Sequence, residues 1–258
     1  MHTYNKSSLK GIALTHFVPC IFAGVFLLYV MNGVLPAGTI SGLVGSMFTV
    51  MDYIVALILG LLIAGAVVTY HLYRNRRLAQ VKDASRAPSD KRHIRLAALV
   101  GFTAGAANIM LLLHTEGIIL LTVLVLFILY LHLKLFAHNI ISMLHPDSVA
   151  TWADVSELAR IYLTMLTGFT LINATLEGLH KIAGTPLPFG FFEKGDLFLN
   201  SLYYTVVTMT TLGYGDIVPK TWDAKLLIIG QCLVSYVMFA LVIGIITRGV
   251  IPARDKKE

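Results

Sequence analysis

The residues best suited to do chemistry lie in one short run, Thr210-Thr211-Leu212-Gly213-Tyr214-Gly215-Asp216. Gly213 and Gly215 are separated by one residue, and each tolerates a positive φ because no Cβ opposes it. An extended strand that alternates between left- and right-handed backbone turns successive carbonyls toward one axis. Oxygens arranged in this way replace the water shell of a cation. That chemistry is ion binding and passage, with no bond made or broken. One strand offers too few ligands, so a closed ring of copies is required.

Such a strand has to be positioned. The run before it, Leu197 to Met209, is semi-apolar and too short to cross a hydrocarbon core of about 30 Å. It reads as a re-entrant half-helix with Asp196 as its N-cap. The C-terminal end of a helix carries about half a negative charge, which attracts cations. Irregular backbone at membrane depth is tolerated only when it is buried in protein or lines a water-filled cavity. Pro186, Pro188, Gly190 and Gly195 form a polar turret ahead of the half-helix.

Composition sets the class. The 258 residues are 57% hydrophobic and 13% charged, with a mean hydropathy of +0.77. Soluble domains carry about 25% charged residues. A soluble enzyme, a disordered chain and a disulfide scaffold are therefore excluded. Cys20 and Cys232 both lie in apolar runs and say nothing about compartment. Apolar stretches run over 12–31, 53–73, 96–113, 118–136, 159–180 and 224–247. The expected fold is an all-α membrane protein of six transmembrane helices, with the re-entrant helix and its loop between the fifth and sixth. His114-Thr115-Glu116-Gly117 divides the third and fourth spans into a tight hairpin, because a single helix would overshoot the bilayer.

The 20 Lys and Arg fall unevenly on the two sides of these spans. One side has only Lys181, Lys194, Lys220 and Lys225. The other sixteen include Arg74, Arg76, Arg77, Lys82, Arg86, Lys91, Arg92 and Arg95 in the 74–95 loop. This asymmetry predicts a multi-pass protein of the cell membrane with both termini in the cytoplasm and the glycine run outside. The net charge of +6 is thus a topology signal and implies no nucleic acid. The 74–95 loop is a solvated positive-inside loop or a holder of anionic lipid headgroups.

The seven-residue run resembles the selectivity filter of tetrameric potassium channels, a family built on four Thr-Val-Gly-Tyr-Gly loops. Tyr203 to Asp216, followed by Ile217-Val218-Pro219, is similar to the pore helix, filter and outer mouth of that family. The resemblance is specific over 159–247. Over 1–158 only the span count is similar. It implies a homotetramer that coordinates K⁺ through the backbone carbonyls of Thr211, Leu212, Gly213 and Tyr214, with the Thr211 hydroxyl as an inner ring and Gly215 closing the filter. Thr210, Asp216, Tyr203, Tyr204 and Glu177 are the implied supports. Tyr204 is expected to bond Asp216 behind the filter, or both tyrosines simply pack. Glu177 resembles a glutamate that tethers the fifth helix to the pore loop; a solvated interfacial carboxylate is the alternative. Leu212 replaces the commoner valine, and Val207 stands where some relatives carry a glutamate. The implied function is passive, potassium-selective conduction, with no catalysis and no cofactor.

On the last helix, Ser235 stands where relatives often have a hinge glycine, and Gly230 and Gly244 lie elsewhere. Val242, Ile245 and Ile246 are candidates for an apolar gate or for a packing face. The fourth span has no arginine, only His132 and Lys134 near its inner end, so no voltage sensor is expected. The expected domains are 1–145, four helices in the sensor position; 146–158, an interfacial linker helix starting at Pro146-Asp147-Ser148; 159–247, the pore; and 248–258, a tail too short for a nucleotide- or calcium-binding domain.

Among the nine histidines, His16, His71, His114, His132, His138 and His180 fall mostly near span ends, as interfacial residues do. Gly38-x-x-x-Gly42 and Gly101-x-x-x-Gly105 are candidate helix-packing faces. The sequence has no Walker loop, Rossmann turn, zinc spacing or catalytic triad. The alternatives to a complete channel are a potassium-uptake or regulatory channel subunit, or a bis-histidine haem electron carrier.

Overall fold

The computed structural model describes residues 9–34, 50–81, 89–113, 115–143, 150–193, 196–248 and 250–251. They form α1 (Leu9–Val34), α2 (Val50–Val81), α3 (Lys91–Leu113), α4 (Thr115–Met143), β1 (Ala150–Thr151), α5 (Trp152–Ala183), α6 (Leu197–Met209), α7 (Trp222–Arg248) and β2 (Val250–Ile251). The two strands pair in parallel over two residues. Most of the other described residues are helical, with irregular backbone over 184–193 and 210–221; a helix satisfies its backbone groups internally, as an apolar environment requires.

Among the described residues, four helices are long and apolar enough to cross a membrane, over Gly11–Val30, Asp52–Leu78, Gly117–Lys134 and Trp222–Gly244. The other two long helices are more polar. α3 opens on Lys91, Arg92 and Arg95, and α5 is diluted by four threonines, Asn173 and Glu177. The α5 threonines satisfy themselves: Thr164, Thr167 and Thr170 donate their hydroxyls to the carbonyls of Arg160, Leu163 and Leu166. This back-bonding removes the cost of a hydroxyl away from water.

Two boundaries differ from expectation. α2 runs on to Val81, so Arg74, Arg76 and Arg77 ride on helix and not on a loop. Arginine is a good helix former with a long apolar stem, so helix outlasts the apolar stretch. Lys91, Arg92 and Arg95 likewise belong to the start of α3. Lys82 and Arg86 lie outside the described residues. Trp152 to Leu158, expected as a separate linker helix, is the unbroken start of α5. Pro146, Asp147 and Ser148 lie outside the described residues, as do Gly38 and Gly42.

The chain divides into two units, 1–121 and 122–258. In the first, α2 and α3 pack along a glycine seam. A Cβ on Gly105 would lie 3.0 Å from the Gly60 Cα and 3.0 Å from the Leu59 carbonyl oxygen; one on Gly101 would meet Val67 at 3.2 Å. Gly101-x-x-x-Gly105 is thus a helix-packing face, where small residues bring backbones close. Gly24 of α1 lies against the side-chain amide of Asn108 in the same way. Val55, Leu59 and Ile109 are buried beside Leu27 and Leu28.

In the second unit α5, α6 and α7 pack around an aromatic core. Phe189, Phe191, Tyr204, Ile217 and Ala224 are buried together, flanked by Leu176, Leu197 and Ile228. Phe189 and Phe191 stack at 4.8 Å, and the Tyr204 ring lies 5.1 Å from Phe189. Offset and tilted pairs of this kind add to the area they bury. Both cysteines are free thiols.

Candidate pore site

The 13 residues of α6 span about 20 Å. Asp196 holds the N-cap position with an extended backbone, φ −129° and ψ 102°, but its side chain makes no capping hydrogen bond. The expected carboxylate cap is therefore absent, and only the carbonyl of Asp196 takes part, accepting from the Asn200 N–H at 3.0 Å.

At the other end the chain leaves α6 without a break in hydrogen bonding. The Thr210 N–H reaches the Val206 carbonyl at 2.9 Å, and the Val207 carbonyl accepts from both Leu212 at 3.0 Å and Gly213 at 3.4 Å. The backbone then alternates. Thr211, Gly213 and Gly215 have φ of 60°, 55° and 78°. The glycines meet no steric penalty there, whereas Thr211 does, by about 1–2 kcal/mol. A non-glycine residue held in this region signals a local constraint imposed by its surroundings. In a single chain, 210–216 are all exposed, with Leu212 58% and Tyr214 66% accessible.

The run is pinned at its far end. Ile217 sinks into the aromatic core, and the Lys220 N–H donates to the Pro188 carbonyl at 2.7 Å. Behind the core sits Glu177 of α5, which is 0% exposed. Its two carboxylate oxygens accept from the backbone N–H of Phe189 at 2.8 Å and of Phe191 at 2.7 Å. Charge-assisted bonds to both oxygens make the burial of a carboxylate tolerable. The interfacial, solvated alternative for Glu177 is excluded.

The bond to Asp216 expected of Tyr204 is made by its neighbour, and Tyr204 packs instead. Tyr203 bonds Asp216, while Tyr204 turns into the aromatic core and bonds Thr208. Adjacent helical residues point about 100° apart, so only one of the pair can face the chain beyond α6.

Four features went unread in the sequence. Asn173 of α5 donates to the Thr205 hydroxyl at 3.0 Å and to Gln231 Oε1 at 3.3 Å, joining α5, α6 and α7 at a fully buried point. The Ser201 hydroxyl donates to the Thr170 carbonyl at 2.6 Å. His180 Nε2 meets Asp223 Oδ2 at 2.7 Å, tying the end of α5 to the start of α7. Lys220 Nζ lies 3.4 Å from Glu193. Amide side chains inside apolar spans were the available signal, since such groups need partners there.

Along α7, Ser235 is buried and back-bonds the Gln231 carbonyl at 2.8 Å. Val242 is exposed in one chain and Gly244 faces open space. The side chains of Ile245 and Ile246 lie outside the described residues, as does that of His138; His114 lies outside them altogether. His132 is buried and contacts its own helix at the Ile128 carbonyl, 3.0 Å away.

Residues 179–251 match the family model described as ion channel. The human potassium voltage-gated channel subfamily KQT member 3 is 35% identical over 57 residues, 22% of this chain and 6% of its own length. The human voltage-gated delayed rectifier potassium channel KCNH5 is 30% identical over 90 residues, 32% of this chain and 9% of its own length. The chain therefore spans under a tenth of either relative. No solved structure matches it.

Proposed function

We propose that this chain, whose residues 179–251 match the ion channel family model, is the subunit of a homotetrameric pore that passes K⁺ selectively down its gradient. The observation that carries the reading is the alternating backbone, with positive φ at Thr211, Gly213 and Gly215. Alternation of hand every second residue presents the carbonyls of Thr211, Leu212, Gly213 and Tyr214 in sequence to one axis. Four such strands supply enough oxygens to stand in for the hydration of a dehydrated cation, and neighbouring ions repel one another onward.

Two further features support the arrangement. The exposure of the whole run in a single chain is what a surface shared with other copies requires. α6 also aims its carbonyl end at the run, adding negative potential where a cation sheds water. In the proposed topology the six long helices span the membrane, α6 re-enters from outside, and both termini are cytoplasmic, a reading that the uneven distribution of Lys and Arg supports. Anionic lipids contact the basic ends of α2 and α3, and α7 lines the inner path, with Val242 near its inner end.

The test is reconstitution of the protein alone in liposomes under opposed K⁺ and Na⁺ gradients. K⁺ flux well above Na⁺ flux is expected. Equal flux of the two ions, or a monomer as the only assembled form, overturns the reading.

A further inference from the structure

Outside the pore, the first unit gathers three imidazoles from three helices. His16 of α1, His71 near the end of α2 and His93 at the start of α3 each offer one ring nitrogen, all within 4.8 Å of one another. The rings meet edge to face, with His71 at 5.2 Å from both His16 and His93 by centroid. His71 is 1% exposed, and its Nε2 is buried without a hydrogen-bond partner. A buried polar nitrogen left unpaired costs about 1–3 kcal/mol. The fold thus holds this atom in place without satisfying it.

The other side of His71 is built to orient it. Its Nδ1 lies 3.0 Å from the Ser89 hydroxyl, which also accepts from Arg74 at 2.7 Å. Ser89 is itself clamped by Asn75, which accepts from the Ser89 N–H at 2.8 Å and donates to its carbonyl at 2.9 Å. When the Nδ1–H donates to Ser89, the Nε2 lone pair is directed into the cluster. Metal-binding histidines are oriented in this way by a partner on the far nitrogen.

We propose that His16, His71 and His93 bind a divalent transition-metal ion of the Zn²⁺ class, with a fourth position left for solvent. Three imidazoles without a carboxylate suit zinc, copper or nickel, whereas magnesium and calcium need oxygen ligands. Tetrahedral zinc with Zn–N bonds of about 2.0–2.1 Å needs nitrogens about 3.3 Å apart, so the rings close by roughly an ångström on binding. Ligands from three helices make the ion a cross-link between α1, α2 and α3. It lies where α2 passes to α3, beside the basic residues of both helices.

The test uses the full-length, untagged protein in detergent, stripped with a chelator and titrated with Zn²⁺ against a chromophoric competitor. One Zn²⁺ per chain at micromolar concentrations is expected, with a rise in thermal unfolding temperature. His71→Gln and His93→Gln should each weaken binding by at least about tenfold, and Ser89→Ala by about 10–100-fold through loss of ring orientation. His132→Gln, in the other unit, should leave it unchanged. Variants are compared only where circular dichroism and gel filtration match the parent. Absence of saturable binding in the parent overturns the proposal and leaves the rings as packing alone. So does binding undiminished in both His→Gln variants, or a Soret band in the purified protein, which would make the histidines haem ligands.

Discussion

The Glu177 carboxylate and the backbone N–H of Phe191 meet at 2.7 Å, and both are fully buried. Together with the bond to Phe189, this contact fastens α5 to the turret from which α6 starts. Glu177→Ala would strand two buried N–H groups, at about 1–3 kcal/mol each. A large drop in thermal stability of the assembled protein is expected, with loss of K⁺ flux. Glu177→Gln, which can accept only one of the two bonds well, should lie between Ala and the parent. Equal stability of all three proteins would show the clasp to be dispensable.

Tyr203 and Tyr204 should respond differently to removal of one oxygen. Tyr203→Phe takes away the partner of Asp216 next to the alternating strand, so ion selectivity or the persistence of current should change. Tyr204→Phe keeps its ring in the core with Phe189 and Phe191 and should cost only about 1 kcal/mol of stability, with selectivity intact. Electrical recording of both variants in planar bilayers distinguishes them.

Gly213→Ala and Gly215→Ala place a Cβ at φ 55° and 78°, a penalty of about 1–2 kcal/mol per residue per chain. In the proposed tetramer four copies multiply that strain around one axis. K⁺ flux should be abolished while helical content by circular dichroism is unchanged. Conduction at parental levels would mean the backbone there is not the conducting surface.

Gly105→Val tests the first unit by itself. Its Cβ would press on the Gly60 Cα and the Leu59 carbonyl, both backbone, so neither can move aside. Overpacking of this kind costs about 1–3 kcal/mol. A lower unfolding temperature is expected, whereas Gly65→Ala, which faces open space, should be neutral.

α4 carries no arginine, and each gating charge would be worth about 2.3 kcal/mol per 100 mV. Current through the reconstituted protein should therefore change little in open probability between negative and positive potentials. A steep rise with depolarisation would locate gating charge elsewhere in the chain.

Local rules were enough for much of this molecule. The bounds of α6, Leu197 to Met209, follow from a short apolar run closed by Asp196 ahead and the glycines behind, and the positive φ at Gly213 and Gly215 follows from the absence of a Cβ. The packing role of Gly101 and Gly105 was legible for the same reason, because small residues four apart share one face. The extension of α2 through Arg74, Arg76 and Arg77 was not legible from hydropathy, since helix propensity continues after apolarity ends.

Other relationships needed the chain to fold. Residue type could not say whether Tyr203 or Tyr204 faces Asp216, because helix rotation about α6 is set by what packs behind it, namely Phe189, Phe191 and Ile217. Nor could spacing reveal that Glu177 would find two backbone donors, that Asn173 would meet Thr205 and Gln231, or that His16, His71 and His93 would converge. Those partners are far apart along the chain. Only the close approach of α2 and α3 at their glycine seam, and of α5, α6 and α7 around an aromatic core, brings them within bonding distance.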